Sequence, residues 1–272
     1  MNRLAQRFAD CRKSQRRALV TYLMAGDPGP DATVPLLHAL VDAGADILEL
    51  GVPFSDPIAD GPAIQAACER ALAAGMNLTG TLALVTEFRR HDRATPIVLM
   101  GYLNPIEQMG YAEFAAAAAE AGVDGVLTVD VPPQEAQELV DCLRAMGLAP
   151  IFLLSPTTPL ERVRQIAAQA EGFLYYVSLK GVTGAASLDV AAVAEQVARI
   201  RALTELPIGV GFGIGTPAAA AEIARLADAV VVGSALVNKL AHAQDLGFAR
   251  QEAAALVADL RAAMDAAVTP TR

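Results

Sequence analysis

Residues 207–234 read PIGVGFGIGTPAAAAEIARLADAVVVGS. Pro207–Gly211 is a short apolar run of the kind that forms a strand. Thr216-Pro217 then places a capping hydroxyl before a proline at the first helical position. Pro217–Leu226 is alanine-rich and has helical spacing. Ala229–Gly233 is a second run of small and β-branched residues. Neither run alternates polar with apolar, so each reads as a strand buried on both faces. The unit is strand, helix, strand, and its strands must therefore be parallel.

The same rhythm extends outward through the chain. Six further runs read as strands: Leu19–Leu23, Asp46–Leu50, Pro96–Gly101, Gly125–Val129, Pro150–Leu154 and Phe173–Ser178. Helical spacing fills the gaps at Ala32–Ala43, Tyr111–Ala121, Pro133–Met146, Leu160–Ala170 and Val190–Ala202. Asp31 and Ser187 stand where they would cap two of these helices. The long interval after the second strand holds two helical stretches, Pro62–Ala74 and Thr79–Arg90. Eight strands alternating with helices over 272 residues suit one α/β domain spanning 1–272. The expected fold is a (β/α)8 TIM barrel with an N-terminal extra helix and additional helices after strands 2 and 8. An open doubly wound sheet is the structural rival. Its dinucleotide form wants G-x-G-x-x-G after the first strand, where this chain has Ala25-Gly26-Asp27-Pro28-Gly29.

Composition narrows the function. Apolar residues are 54% of the chain, enough for a large core, and the formal net charge is −9. There is no basic cluster, which argues against nucleic acid and anionic membranes as partners. A single phosphate needs no such cluster, because backbone N–H groups can hold it. Cys11, Cys68 and Cys142 form no CxxC pair and read as plain thiols. His38, His91 and His242 are scattered, so no metal site is expected. No uncharged stretch is long enough for a membrane span, and Arg3, Arg7, Asp10, Arg12 and Lys13 interrupt any signal-peptide core. The expected location is cytoplasmic.

Chemistry in such a barrel gathers where strands end. Glu49 lies in an apolar strand among Ile47, Leu48 and Leu50. A carboxyl there either pairs with a structural Lys or Arg or holds its proton at a raised pKa, fit for acid–base work. Asp60 follows on a loop stiffened by Pro53, Pro57 and Pro62; it reads as a second carboxylate of the site or as a helix cap. Asp56 has a similar turn reading. After strands seven and eight, Gly211-Phe212-Gly213 and Gly233-Ser234 offer backbone N–H groups and a helix start, a phosphate cradle. Gly181-Val182-Thr183-Gly184 reads as a lid or as an ordinary loop. Tyr22, Met100, Leu127, Val129, Leu153, Tyr175 and Phe212 would line a slot for a flat aromatic ligand, although each alone also reads as core.

The run from Glu49 to Gln65, ELGVPFSDPIADGPAIQ, resembles the hallmark of the tryptophan synthase alpha-chain family. The likeness continues through Ala25–Gly29, Met100–Pro105, Asp124–Pro132, Tyr175–Gly184, Gly209–Gly215 and Val232–Ser234. It implies retro-aldol cleavage of indole-3-glycerol phosphate to indole and glyceraldehyde 3-phosphate. Carried over by motif position, Glu49 is the principal acid–base and Asp60 accepts the indole N–H. Tyr175 packs on the substrate and helps position Glu49. Thr183 closes the lid and orients Asp60. Gly184, Phe212, Gly213, Gly233 and Ser234 hold the phosphate. The resemblance implies no cofactor in this chain, and a PLP-dependent beta chain as partner in an alpha2beta2 tetramer. Relatives that release indole without a partner are also implied. Another phosphate-binding barrel enzyme and a non-catalytic binding subunit remain as alternatives.

Overall fold

The computed structural model describes residues 2–178, 189–211, 213–242 and 245–268. Its centre is a closed parallel barrel of eight strands in chain order. They are β1 (Ala18–Met24), β2 (Ile47–Gly51), β3 (Ile97–Gly101), β4 (Gly125–Thr128), β5 (Ala149–Leu154), β6 (Leu174–Val177), β7 (Ile208–Gly211) and β8 (Ala229–Val232). The eighth strand returns to pair with the first, with Val20 opposite Val231. An open sheet is thereby excluded.

Helices wrap the outside. They are α1 (Arg3–Lys13), α2 (Pro30–Asp42), α3 (Pro62–Ala73), α4 (Leu78–Arg89), α5 (Leu103–Met109), α6 (Tyr111–Ala121), α7 (Gln137–Ala145), α8 (Leu160–Gln169), α9 (Val190–Arg201), α10 (Pro217–Ala224), α11 (Ser234–Ala241) and α12 (Leu246–Val268). The extra helices stand where they were expected, at the N-terminus and after β2 and β8. One more, α5, follows β3. Helix α7 begins four residues later than the alanine pattern implies, because Pro132 and Pro133 lead a turn rather than a helix. Asp31 does not cap α2; Gly29 holds that place and Pro30 opens the helix. Asp189 caps α9 by accepting the Ala192 N–H, whereas Ser187 lies outside the described residues.

Alternation along the strands builds two cores. Val20, Ile47, Val98, Leu127, Ile151, Phe173, Tyr175 and Val231 fill the barrel interior. Their sequence neighbours Leu19, Leu48, Leu99, Phe152 and Val230 pack under the helices. Helix α1 closes the N-terminal mouth by adding Leu4, Phe8 and Cys11 to the interior cluster. Asn2 fixes it there. Its side chain caps the helix and donates to the carbonyls of Asp124 and Gly147 at 2.7 and 2.9 Å.

The same mouth repeats one device. Asp46, Asp124 and Asp228 each stand just before a strand, and each accepts a backbone N–H from the neighbouring strand. The donors are Leu19, Ile97 and Ile208, at 3.0, 2.9 and 2.9 Å. Arg261 reaches Asp46 and Arg89 reaches Asp124, so these buried charges are paired. This end is built for stability, which leaves the opposite end for chemistry.

Candidate active site

Glu49 occupies the inward position of β2 above Ile47, flanked in register by Tyr22 of β1 and Val98 of β3. It is 1% exposed, and its Oε1 has no hydrogen-bond partner. Among the described residues no Lys or Arg pairs with it, so the structural ion-pair reading fails. Burial first, and then the Asp60 charge, push its pKa from 4.5 up to about 8. Near neutral pH it carries its proton.

Asp60 sits in the turn that follows β2. It does not cap α3, whose N-cap is Gly61. Its Oδ2 instead accepts a hydrogen bond from the Tyr102 hydroxyl at 2.9 Å. That hydroxyl also accepts the Ala59 N–H at 2.9 Å. Gln65 donates to the Asp60 carbonyl at 2.9 Å. Burial raises the Asp60 pKa and the Tyr102 bond opposes that rise. The two carboxyls therefore differ. One is dry and unpaired, while the other is anchored by a donor that favours its charge.

A small cavity opens beside Asp60, lined by Tyr22, Met24, Val52, Phe54, Pro57, Asp60, Cys68, Met100, Gly101, Tyr102 and Val129. Tyr22, Met100 and Val129 share the wall of this cavity with Asp60. Leu127 and Tyr175 lie in the interior cluster instead, with Leu153 partly buried against it. Tyr175 belongs to β6, and burial and then the charges of Glu49 and Asp60 hold its hydroxyl well above the usual phenol range. Its ring tip fits over Gly211 of β7, where any Cβ would overlap the hydroxyl oxygen.

Tyr102 and Cys68 are site residues that sequence reasoning missed. The Cys68 thiol donates to the Phe54 carbonyl at 2.9 Å and accepts the Phe54 N–H at 3.1 Å. The Phe54 ring rests against Tyr102 with centroids 5.3 Å apart. The loop after β2 is therefore held from both sides.

At the far side of the same mouth, Gly233 is the N-cap of α11, and Ser234 is its first residue. Among the described residues no side chain caps that helix, so none of them claims its first N–H groups. Gly213 has a positive φ of 76°. In the loop it belongs to, a Cβ at Gly215 would lie 3.1 Å from the Ala235 Cβ. The two glycine loops are thus neighbours, as a shared anion cradle requires. Phe212, Thr183, Gly184 and the rest of the expected lid lie outside the described residues. Among the described residues no group of three or more His, Cys, Asp or Glu is placed to hold a metal ion, and no helix is long and apolar enough to cross a membrane.

A family model described as tryptophan synthase alpha chain matches residues 8–268. The chain belongs to the tryptophan synthase alpha-chain family. An alpha chain from Thioalkalivibrio sulfidiphilus is 60% identical over 266 residues, covering 97% of this chain and 100% of that one. One from Methylococcus capsulatus is 60% identical over 267 residues, covering 98% and 100%. The crystal structure of tryptophan synthase subunit alpha from Legionella pneumophila superposes with a TM-score of 0.91 at 45% identity, covering 98% of this chain and 99% of that one. Family members are carbon–carbon lyases of tryptophan biosynthesis that cleave indole-3-glycerol phosphate. Membership sets aside the other phosphate-binding barrels.

Proposed function

We propose that this chain cleaves indole-3-glycerol phosphate to indole and glyceraldehyde 3-phosphate, with Glu49 as the acid–base and Asp60 as its partner. The observation that carries the reading is Glu49 itself, buried, unpaired and raised to about pKa 8 beside the slot. A proton held there can pass to indole C3. Glu49 then takes the proton of the adjacent side-chain hydroxyl. As that oxygen becomes an aldehyde, the C–C bond breaks and its electron pair restores the indole ring. Asp60, whose charged form the Tyr102 bond favours, accepts the indole N–H and offsets the positive charge that C3 protonation creates. Tyr175 packs on the substrate and orients Glu49. Gly213, Gly233 and Ser234, with Phe212 and Gly184, hold the phosphate, and Thr183 closes over Asp60.

The wider setting is part of the same proposal. The chain is one barrel domain over residues 1–272 and works in the cytoplasm. It pairs with a PLP-dependent beta chain in an alpha2beta2 tetramer, and the beta chain consumes the indole. A solved tryptophan synthase from M. tuberculosis, in an aminoacrylate-bound form, contains a chain that superposes with a TM-score of 0.86 at 38% identity, covering 97% of this chain and 100% of that chain. That likeness supports the partnership.

The test is direct. The purified chain is incubated with indole-3-glycerol phosphate and indole is measured, with and without a beta chain. Slow release that rises on adding the beta chain is the expected result. Tight binding with no indole under either condition would favour a non-catalytic binding subunit and overturn the proposal.

A further inference from the structure

The phenol of Tyr22 has a position that packing alone does not account for. Tyr22 is the inward residue of β1 beside Glu49. Glycines pin its ring at both ends. At the base, a Cβ on Gly233 would lie 3.4 Å from the Tyr22 Cβ; at the tip, a Cβ on Gly51 would overlap the hydroxyl oxygen. The ring therefore runs from the glycine cradle at the start of α11 to the end of β2, where Glu49 and Asp60 stand. The residue is 4% exposed.

Its hydroxyl makes no hydrogen bond to any described residue, although Tyr22 lines the slot with Asp60, Met100 and Tyr102. Burial, then the charges of Asp60 and Glu49, hold it well above the usual phenol range, so it keeps its proton and can donate it in a hydrogen bond. Tyr22 lines the cavity and its hydroxyl is pledged to no described protein group, so that hydroxyl is open to a ligand entering the slot; a phenylalanine would fill the same space without offering it. A bound ligand with a hydroxyl oxygen in reach would supply the acceptor that the protein does not. Any molecule joining an aromatic ring beside Asp60 to a phosphate at Gly233 threads its linking chain along the length of this ring.

We propose that Tyr22 is a substrate-positioning residue whose hydroxyl donates a hydrogen bond to a hydroxyl oxygen on the three-carbon chain between the ring and the phosphate. The inference rests on the reaction proposed above. The bond fixes the rotation of that chain, and so presents the bond to be cleaved to Glu49. It also makes Tyr22 a reader of oxygenation: a chain without hydroxyls offers it nothing.

The experiment compares wild type with Tyr22→Phe, which keeps the ring and its packing on both glycines. Two readouts are taken. One is kcat/KM on indole-3-glycerol phosphate. The other is the Kd of an indole alkyl phosphate with the same three-carbon chain but no hydroxyls. The expected result is about a tenfold loss in kcat/KM, the scale of one neutral hydrogen bond, with the Kd of the hydroxyl-free ligand unchanged. Equal losses on both would show that the phenol serves packing only and would overturn the proposal; so would no loss on either. Should wild type itself release no indole, the reaction fails rather than the role of Tyr22. The same comparison of Kd values for substrate and hydroxyl-free ligand then still decides whether the phenol reads the chain.

Discussion

The Tyr102 hydroxyl donates to Asp60 Oδ2 at 2.9 Å while accepting the Ala59 N–H at the same distance. One phenol at the end of β3 thereby locks both the backbone and the side chain of the loop after β2. The bond favours the charged form of Asp60 against the burial that disfavours it. Tyr102→Phe removes that support, so the Asp60 pKa must rise further. If Asp60 works as the anion, the acid limb of the kcat/KM profile moves to higher pH, and turnover near neutrality falls about tenfold, the scale of one charge-assisted bond. The pH–rate profile of the variant checks this. An unmoved acid limb would show that Asp60 does not act in its ionised form.

Glu49 ties activity to stability. Its folded pKa of about 8 lies above the 4.5 of an ordinary glutamate. Below pH 4.5 the group is protonated in folded and unfolded chains alike and costs nothing. Between 4.5 and 8 the unfolded chain has released the proton that the folded one retains, so stability falls as pH rises through that window. Above 8 both states are ionised and the penalty is complete. Glu49→Gln should therefore be more stable than wild type at pH 8.5, by a few kcal/mol on the scale of 1.36 kcal/mol for each pKa unit, with the difference vanishing near pH 4. The same variant should lose cleavage by ~10³-fold or more while still binding substrate, given the weight of a general acid–base group. Denaturant unfolding at the two pH values and a single-turnover assay check both halves.

The contrast between those residues and the ones sequence reasoning missed has a physical basis. Parallel strands buried on both faces leave continuous apolar runs, and all eight were legible as such. Glu49 stood out because a carboxylate inside such a run is costly. Tyr102 did not, because an aromatic residue after a strand looks like core until its hydroxyl partner is known, and that partner is 42 residues away. Helix α5 was missed for a different reason. It has only seven residues, with Pro105 inside it, and Gly110 ends it at a positive φ of 92°. So short a segment has no repeating apolar face. Asp60 was legible as a polar residue in the right loop, but the choice between cap and catalytic carboxylate needed the coordinates. The indole and the cleaved bond came from the resemblance, since no spacing in the chain encodes them.

The opposite mouth should answer to mutation in another way. Asp124 is 3% exposed and meets Arg89, Arg3 and the Ile97 N–H, each at 2.9 Å. Burial already lowers the Arg89 pKa to about 10. Asp124→Ala would leave that guanidinium in a dry site without its counter-charge, which costs about 3–5 kcal/mol. At the N-terminal end of the barrel the change should leave kcat and KM within about twofold at temperatures where the variant is folded. A thermal melt beside steady-state kinetics separates the two effects. A large loss of kcat in folded protein would contradict this division between the two mouths.

Gly211 tests how tightly the active end is packed. A Cβ there would overlap the Tyr175 hydroxyl and lie 2.7 Å from Cζ and 2.8 Å from Cε1. Those are ring atoms that cannot swing away separately, so the whole tyrosine must tilt or the two strands must part. Either response costs about 1–3 kcal/mol as overpacking. Tilting would also move the phenol that, on the proposed function, orients Glu49. Gly211→Ala should therefore lose stability on that scale and activity by a larger factor, since a displacement of about 1 Å can cost 10²-fold in rate. Gly29→Ala is the control. Its backbone is extended at φ −174°, and nothing stands within 4 Å of the added methyl, so beyond the few tenths to about 1 kcal/mol of a poorer N-cap it should leave turnover unchanged. If Gly211→Ala matched that control in turnover, the fit of Tyr175 over Gly211 would have no part in setting the rate.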